Sequence, residues 1–163
     1  MAEFSPIGIA HTPFATPADA PKATRWAEGA EGQVELYEPF VAGLADVAGF
    51  ERVWLLWHAD QCIEAPVVVQ PPFDTGPKGV FATRSPCRPN PIALSCVRVL
   101  SIEGNVLRVG DVDMADGSPV LDIKPYSTGT DCFPEARGGW FDDSGGDRPC
   151  QDGNTRSGEG DAK

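Results

Sequence analysis

This sequence predicts a mainly β chain that forms a small closed or partly open β-barrel, with one or two short helices and an irregular C-terminal tail. Three observations carry that expectation. The apolar runs are strand-sized, the longest being Val53 to Trp57. Turn chemistry separates them, as at Glu103-Gly104-Asn105 and Asp116-Gly117, and short strands joined this way suit an antiparallel or mixed sheet that closes on itself. No GxGxxG follows a strand, so a doubly wound dinucleotide fold has no support.

Taken in order, Ile7 to Ala10 reads as an opening strand, ended by His11-Thr12-Pro13-Phe14. Ala15 to Ala30 is a loop rich in Ala, Pro, Gly and charge, and Val34 to Tyr37 is a second strand. Val41, Leu44, Val47 and Phe50 recur at helical spacing, which predicts one short helix over 41–50 with these residues in the core. Val53 to Trp57 leads into His58-Ala59-Asp60-Gln61, and Val67 to Val69 is a further strand stopped by Pro71-Pro72. Val80-Phe81-Ala82 reads as a buried strand. Ile92 to Ile102 and Val106 to Val112 form a hairpin, and Pro119 to Ile123 is the strand after the Asp116-Gly117 turn. Beyond Thr130 the chain turns Gly-rich and polar, so residues 1–142 make the expected domain and 143–163 a tail expected to be disordered.

The 163 residues, 41% of them apolar, suffice for one domain with a full core. No run approaches the roughly 18 apolar residues of a membrane helix. The N-terminus has no basic n-region and no long apolar segment, so no membrane partner is expected and the cytoplasm is the expected compartment. Five cysteines are odd in number and widely spaced, without a CxxC, and there are only two histidines. A metal site is therefore not expected, and the cysteines read as free, buried or half-buried thiols. A net charge of −11 argues against nucleic-acid binding. Between residues 78 and 108, however, Lys78, Arg84, Arg88, Arg98 and Arg108 face only Glu103, and the local field matters more than the total at a contact.

Gly79 to Ser95, GVFATRSPCRPNPIALS, carries the most information. Its prolines fix their own φ and hold Ser85, Arg88 and Asn90 extended. A stiff loop bearing Arg84 and Arg88 suits a phosphate, a carboxylate or a nucleoside, although it also reads as a Pro-rich connection with solvated arginines. Asp111, Asp113 and Asp116 place three carboxylates within six residues. They suit either Asx-type turn hydrogen bonds or a ligand bearing hydroxyls, an amine or positive charge. In Leu121 to Tyr126, alternation puts Asp122 and Lys124 on one face, as a surface ion pair or as part of a pocket with Tyr126. His11 and His58 read as packing residues, and neither Ser85 nor Ser95 has a nucleophile-elbow context.

The segments IGIAHTPF, GVFATRSPCRPNPIALS and DMADGSPVLDIKPY, in that order from Ile7 to Tyr126, resemble the TrmO-like (also TsaA-like) family of β-barrel, S-adenosylmethionine-dependent tRNA methyltransferases. The resemblance implies a barrel that binds S-adenosyl-L-methionine without a Rossmann crossover, commonly as a homodimer with cofactor sites near the subunit interface. It implies N6-methylation of threonylcarbamoyladenosine at tRNA position 37. By motif, Arg84, Leu94, Asp113, Asp116 and Gly117 would contact the cofactor, as would Lys22 in Pro21-Lys22-Ala23 and the pair Asp60-Gln61. Asn90, Asp122, Lys124 and Tyr126 would shape the substrate side. The acceptor nitrogen must lose a proton, and Tyr126 is the preferred acceptor or relay. Lys22-Ala23 stands where the family has Arg-Gln, Asp60 where it has His, and Ala93 where glycine is common. Two alternatives remain: the same chemistry on a small molecule or other nucleoside, and a non-catalytic module that binds S-adenosylmethionine.

Overall fold

Eight strands appear in the computed structural model, which describes residues 3–71 and 76–143. They are β1 (Gly8–His11), β2 (Glu31–Leu36), β3 (Arg52–His58), β4 (Val68–Val69), β5 (Lys78–Gly79), β6 (Ile92–Glu103), β7 (Val106–Gly110) and β8 (Pro119–Pro125). Six of them close into a barrel in the order β1-β2-β7-β6-β3-β8, every neighbour antiparallel. Closure removes the open sheet edges that would otherwise pair with other chains. Strict alternation along β2 sends Gly32, Val34 and Leu36 inward and leaves Glu31, Gln33 and Glu35 outside. With Val53, Leu55, Val97, Leu107, Val109 and Val120 they build one core, plugged by Met114 from the loop after β7. Gly32 has no alternative there. A Cβ would stand 2.8 Å from the His11 carbonyl oxygen and 2.9 Å from a Val112 methyl.

One offset positions everything that follows. β6 pairs with β3 along Ile92 to Arg98, but its pairing with β7 begins only at Arg98, opposite Gly110. The first half of β6 therefore overhangs β7, and the loop 111–115 runs where a strand would continue. A register shift between Leu56 and Trp57 opposite β8 marks the same mouth of the barrel and increases the local twist.

Several expectations are corrected. The helix predicted over 41–50 is two 3-10 segments, Glu38–Leu44 and Val47–Gly49, separated where Asp46 takes a left-handed φ of 64°. Pro39 sits in the first turn, and Gly43 and Gly49 weaken any continuous α-helix. Val80–Ala82 is a 3-10 turn rather than a strand, with Val80 buried and Phe81 exposed. Cys62 and Cys87 form a disulfide across 25 residues, their Cα atoms 5.1 Å apart, inside the range a bridge requires. Spacing along the chain carried no sign of it, because the pair is brought together by the return of the arginine loop. Among the described cysteines the expectation of free, buried or half-buried thiols holds for Cys96, while Cys132 is free but exposed. Cys150 and the tail expected from 143 to 163, apart from Asp143, lie outside the described residues. No helix among the described residues is long and apolar enough to cross a membrane.

The offset separates two leucines that look alike in the sequence. Leu55 is fully buried while Leu94, 44% exposed, faces out on the overhang. Leu55→Ala is expected to destabilise by about 2–5 kcal/mol and Leu94→Ala by under about 1 kcal/mol. Urea unfolding of the two variants checks this, and equal losses would contradict the placement of the core.

Candidate functional site

A cleft of about 430 Å³ opens at the mouth of the barrel and wraps onto its outer face. Its floor comes from the end of β3 and the overhang of β6: Trp54, Trp57, Leu94, Ser95 and Cys96. One wall is the arginine loop, with Arg84 and Arg88. The segment from Pro17 to Thr24 forms another, and Ala59 to Cys62 a third. Asp113 to Ala115 complete it from the loop after β7. The disulfide joins two of these walls, since Cys62 lines the cleft and Cys87 lies between Pro86 and Arg88. Trp140 pins the root of the arginine loop by donating its indole N–H to the Ala82 carbonyl at 2.7 Å.

The chemical centre is Asp113. The Trp57 indole N–H donates to Ser95 Oγ at 2.9 Å, and the Ser95 hydroxyl donates to Asp113 Oδ1. Ser95 is only 2% exposed. Burial pushes the Asp113 carboxyl up to about 6, against the lowering pull of the Ser95 hydroxyl, the Arg84 guanidinium and the backbone N–H groups of Asp113 and Thr24. Near pH 6 the group stands at the boundary between neutral and charged, and a positively charged or hydroxyl-bearing ligand tips it toward the anion. Burial also pushes the Cys96 thiol up, opposed by Arg52, so it stays protonated and unreactive.

The three carboxylates that share one turn in the sequence do three different things. Asp111, at a left-handed φ of 64°, accepts from Arg52 Nη2 and Arg98 Nε, each at 3.0 Å. Asp116 accepts the Thr12 backbone N–H at 3.0 Å and has His11 Nδ1 at 3.8 Å. Only Asp113 lines the cleft. Arg98 is thus held by Asp111, and Arg108 by Glu31 at 3.0 Å. Those pairings interrupt the basic strip read from Lys78 to Arg108.

Of the residues expected at the cofactor, Arg84, Leu94, Asp113, Lys22, Asp60 and Gln61 come together around this cleft. Asp116 and Gly117 form the adjoining turn clasped to β1, where the Gly117 N–H meets the Ala10 carbonyl at 2.9 Å, and do not line it. Asn90 is exposed on the rim between the lining residues Arg88 and Ile92. Lys124 and Asp122 pair at 2.7 Å, and Asp122 borders a second, apolar cavity with Leu44 and Phe50. Tyr126 reaches the cleft indirectly, edge-on to Trp54 at 5.7 Å between ring centres. Its phenol is held above its ordinary value by lost hydration, then by the nearby thiols of Cys132 and Cys96 and by Asp131. Sequence reasoning missed Ser95, Trp54 and Trp57. The signal for Ser95 was its parity with the buried Val97, which makes it a polar side chain on the inward face of a strand. No group of three His, Cys, Asp or Glu side chains among the described residues is placed to hold a metal.

Comparison with known proteins agrees with this architecture. Residues 9–132 match the family described as the tRNA-methyltransferase O N-terminal domain. The chain is 39% identical over 133 residues to an S-adenosyl-L-methionine-binding protein of Archaeoglobus fulgidus, covering 82% of this chain and 95% of that one. It is 31% identical over 144 residues to the tRNA (adenine(37)-N6)-methyltransferase of Escherichia coli K12, covering 82% of this chain and 61% of that enzyme. The crystal structure of TrmO from Pseudomonas aeruginosa superimposes with a TM-score of 0.73 at 35% identity, covering 85% of this chain and 62% of that one. The chain therefore spans most of the archaeal protein but under two thirds of the two bacterial ones.

Asp113 makes a stability trade-off measurable. Its folded-state value lies above 3.8, so the folded protein holds an extra proton between about 4 and about 6. The stability tied to that proton is fully present below 3.8 and is lost as pH rises through about 6. Asp113→Asn is expected to make the ligand-free protein more stable at pH 8 by up to about 3 kcal/mol. The gain should vanish near pH 4. Chemical unfolding at the two pH values reads it out, and a variant less stable than wild type at pH 8 would contradict it.

Proposed function

The chain belongs to the tRNA-methyltransferase O N-terminal domain family, and on that premise we propose that it is an S-adenosylmethionine-dependent methyltransferase acting on N6 of threonylcarbamoyladenosine at tRNA position 37. The observation that carries the cofactor half is the convergence of Arg84, Leu94 and Asp113 on one cleft. Its volume of about 430 Å³ lies within the roughly 300–1,000 Å³ of small-ligand sites. The donor set also fits. Arg84 offers a bidentate grip for a carboxylate, Asp113 an acceptor for ribose hydroxyls or an ammonium group, and Leu94 with the tryptophans apolar surface. Bound there, S-adenosylmethionine supplies a methyl group on a sulfonium centre.

The chain's own task is positioning, which can account for much of the barrier in a bimolecular transfer. Stiff walls suit that task. The arginine loop is held by its prolines, by the Cys62–Cys87 bridge and by Trp140. On the substrate side, Tyr126 next to Trp54 is the candidate for moving the proton from the acceptor nitrogen. A phenol held above its ordinary value acts as a relay rather than as a standing base. Asn90 on the rim and the Lys124–Asp122 pair on β8 are the further candidates for substrate contact. We read the protein as a homodimer, a reading supported by the exposed apolar side chains Ile63, Val67, Val68 and Phe81 beside the cleft.

The same chemistry on a small molecule or another nucleoside is the second reading. It is favoured by a net charge of −11 and by the pairing of Arg98 and Arg108 with carboxylates.

Methyl transfer from radiolabelled S-adenosylmethionine to tRNA carrying threonylcarbamoyladenosine, followed by nucleoside analysis, tests the proposal. The expected product is the N6-methylated nucleoside, with tRNA binding that weakens steeply as salt rises. Cofactor binding with labelling of small molecules alone would replace the first reading by the second, and binding without any transfer would leave a non-catalytic module. Arg84→Ala is expected to abolish cofactor binding by calorimetry, and retained affinity would contradict its role. Tyr126→Phe is expected to slow transfer about 10²-fold or more with cofactor affinity preserved. An unchanged rate would remove Tyr126 from the chemistry.

A further inference from the structure

We infer that Ser95, backed by Trp57, is a positioning residue that holds Asp113 oriented and ionised for the cofactor, so that cofactor affinity depends on this buried pair as well as on the residues that touch the ligand. The inference rests on the reading of the cleft as the cofactor site. Four observations lead to it. Ser95 lies on the part of β6 that has no β7 partner, since that pairing starts only at Arg98. Its hydroxyl is buried, and its one proton goes to Asp113 Oδ1. A lone pair of the same oxygen takes the Trp57 indole N–H at 2.9 Å, which fixes the rotor and strengthens it as a donor. The Trp57–Ser95 link bridges β3 and β6, and the Ser95–Asp113 link ties them to the loop that replaces β7 at the mouth.

The charged groups around Asp113 are accounted for. Arg84 from the arginine loop acts on it directly, and Thr24 gives a backbone N–H from the Pro17–Thr24 wall. Lys22, Asp60 and Arg88 line the same cleft. β3 and β6 face it with Trp57 and Ser95, which bear no charge at neutral pH, and with the protonated thiol of Cys96 in the cleft floor. Within this set, the Ser95 hydroxyl is the leading influence that keeps Asp113 ionised against its burial. Removing it should raise the pH at which Asp113 loses its proton and leave the indole N–H unpaired as well.

The test pairs a readout without ligand and one with it. Titration of the Asp113 side-chain carboxyl by ¹³C NMR in the ligand-free protein follows the residue directly. Calorimetry with S-adenosylhomocysteine between pH 5 and pH 8.5 follows binding without turnover. In wild type, affinity is expected to fall as pH drops through about 6, and Asp113→Asn is expected to lose that step, which assigns it. Ser95→Ala should move both midpoints up by about one unit, weakening binding about tenfold at pH 5 and about twofold at pH 7. Ser95→Thr, which keeps the hydroxyl, should restore both. Trp57→Phe should shift them the same way by less, and it serves if the alanine variant fails to fold. Wild-type midpoints and affinity in both Ser95→Ala and Trp57→Phe would overturn the inference. If the NMR midpoint moves but wild type binds no S-adenosylhomocysteine at any pH, the reading of the cleft fails while the Ser95–Asp113 coupling stands. In that case the claim about cofactor affinity is withdrawn with the reading.

Discussion

The offset between β6 and β7 is the constraint on which the rest of this structure depends. A six-stranded ring must satisfy its backbone all the way round, yet here one strand runs half its length beyond its neighbour. On its β7 side the overhang has no ladder partner and lines the cleft instead. Side chains gather there: Ser95 reaches Asp113 in the loop, Trp57 reaches Ser95 from the other flank, and Arg52 Nη1 donates to the Cys96 carbonyl at 3.0 Å. The same gap that would weaken a barrel is what admits a cleft to its mouth. Structure and site therefore coincide, and the Trp57–Ser95–Asp113 network lies in the wall and floor of the pocket.

The loop after β7 shows how a single acidic turn can serve several ends. Asp111 anchors two arginines at the base, where its left-handed backbone turns the chain out of the strand. Asp116 fastens the far end to β1 by accepting from Thr12. Held at both ends, the middle of the loop has little freedom, and Met114 fills the core while Asp113 faces the cleft. The division explains why a carboxylate remains where burial disfavours its charge. Two neighbouring acids secure the loop, and the third faces the cleft.

Much of the fold was legible because strand burial follows period two and turns carry Gly and Asn, as the β6–β7 hairpin around Gly104 shows. What was not legible depends on long-range return of the chain. The Cys62–Cys87 bridge needs the arginine loop to fold back over the end of β3, which spacing does not reveal. Val80-Phe81-Ala82 has strand composition but follows a two-residue strand and precedes a Pro-rich loop, so it tightens into a 3-10 turn. At the site, Arg84 and Asp113 stood out because guanidinium and carboxylate groups in proline- and glycine-bounded loops are conspicuous. Ser95 did not, since a serine in an apolar run is ordinary until its inward parity and missing strand partner are known. Trp54 and Trp57 read only as part of the apolar run Val53 to Trp57. The register shift beside Trp57 at the barrel mouth marks a local break in the strand pattern that alternation alone does not foretell.

Charge is the remaining tension, and the structure locates it. A chain with a net charge of −11 repels a polyanion at long range. At the cleft, however, Lys22, Arg84 and Arg88 stand against Asp60 and Asp113. Beyond the cleft, Arg98 is matched with Asp111 and Arg108 with Glu31. The local field is therefore positive where a ligand enters, and screening at physiological salt confines the repulsion from the rest of the surface to roughly 8 Å. The guanidinium of Arg84 suits the approach of an anionic group. The carboxylate of Asp113, ionised above about pH 6, suits an ammonium or hydroxyl group. A guanidinium and a carboxylate on one cleft thus reconcile an acidic protein with a ligand that carries both signs of charge.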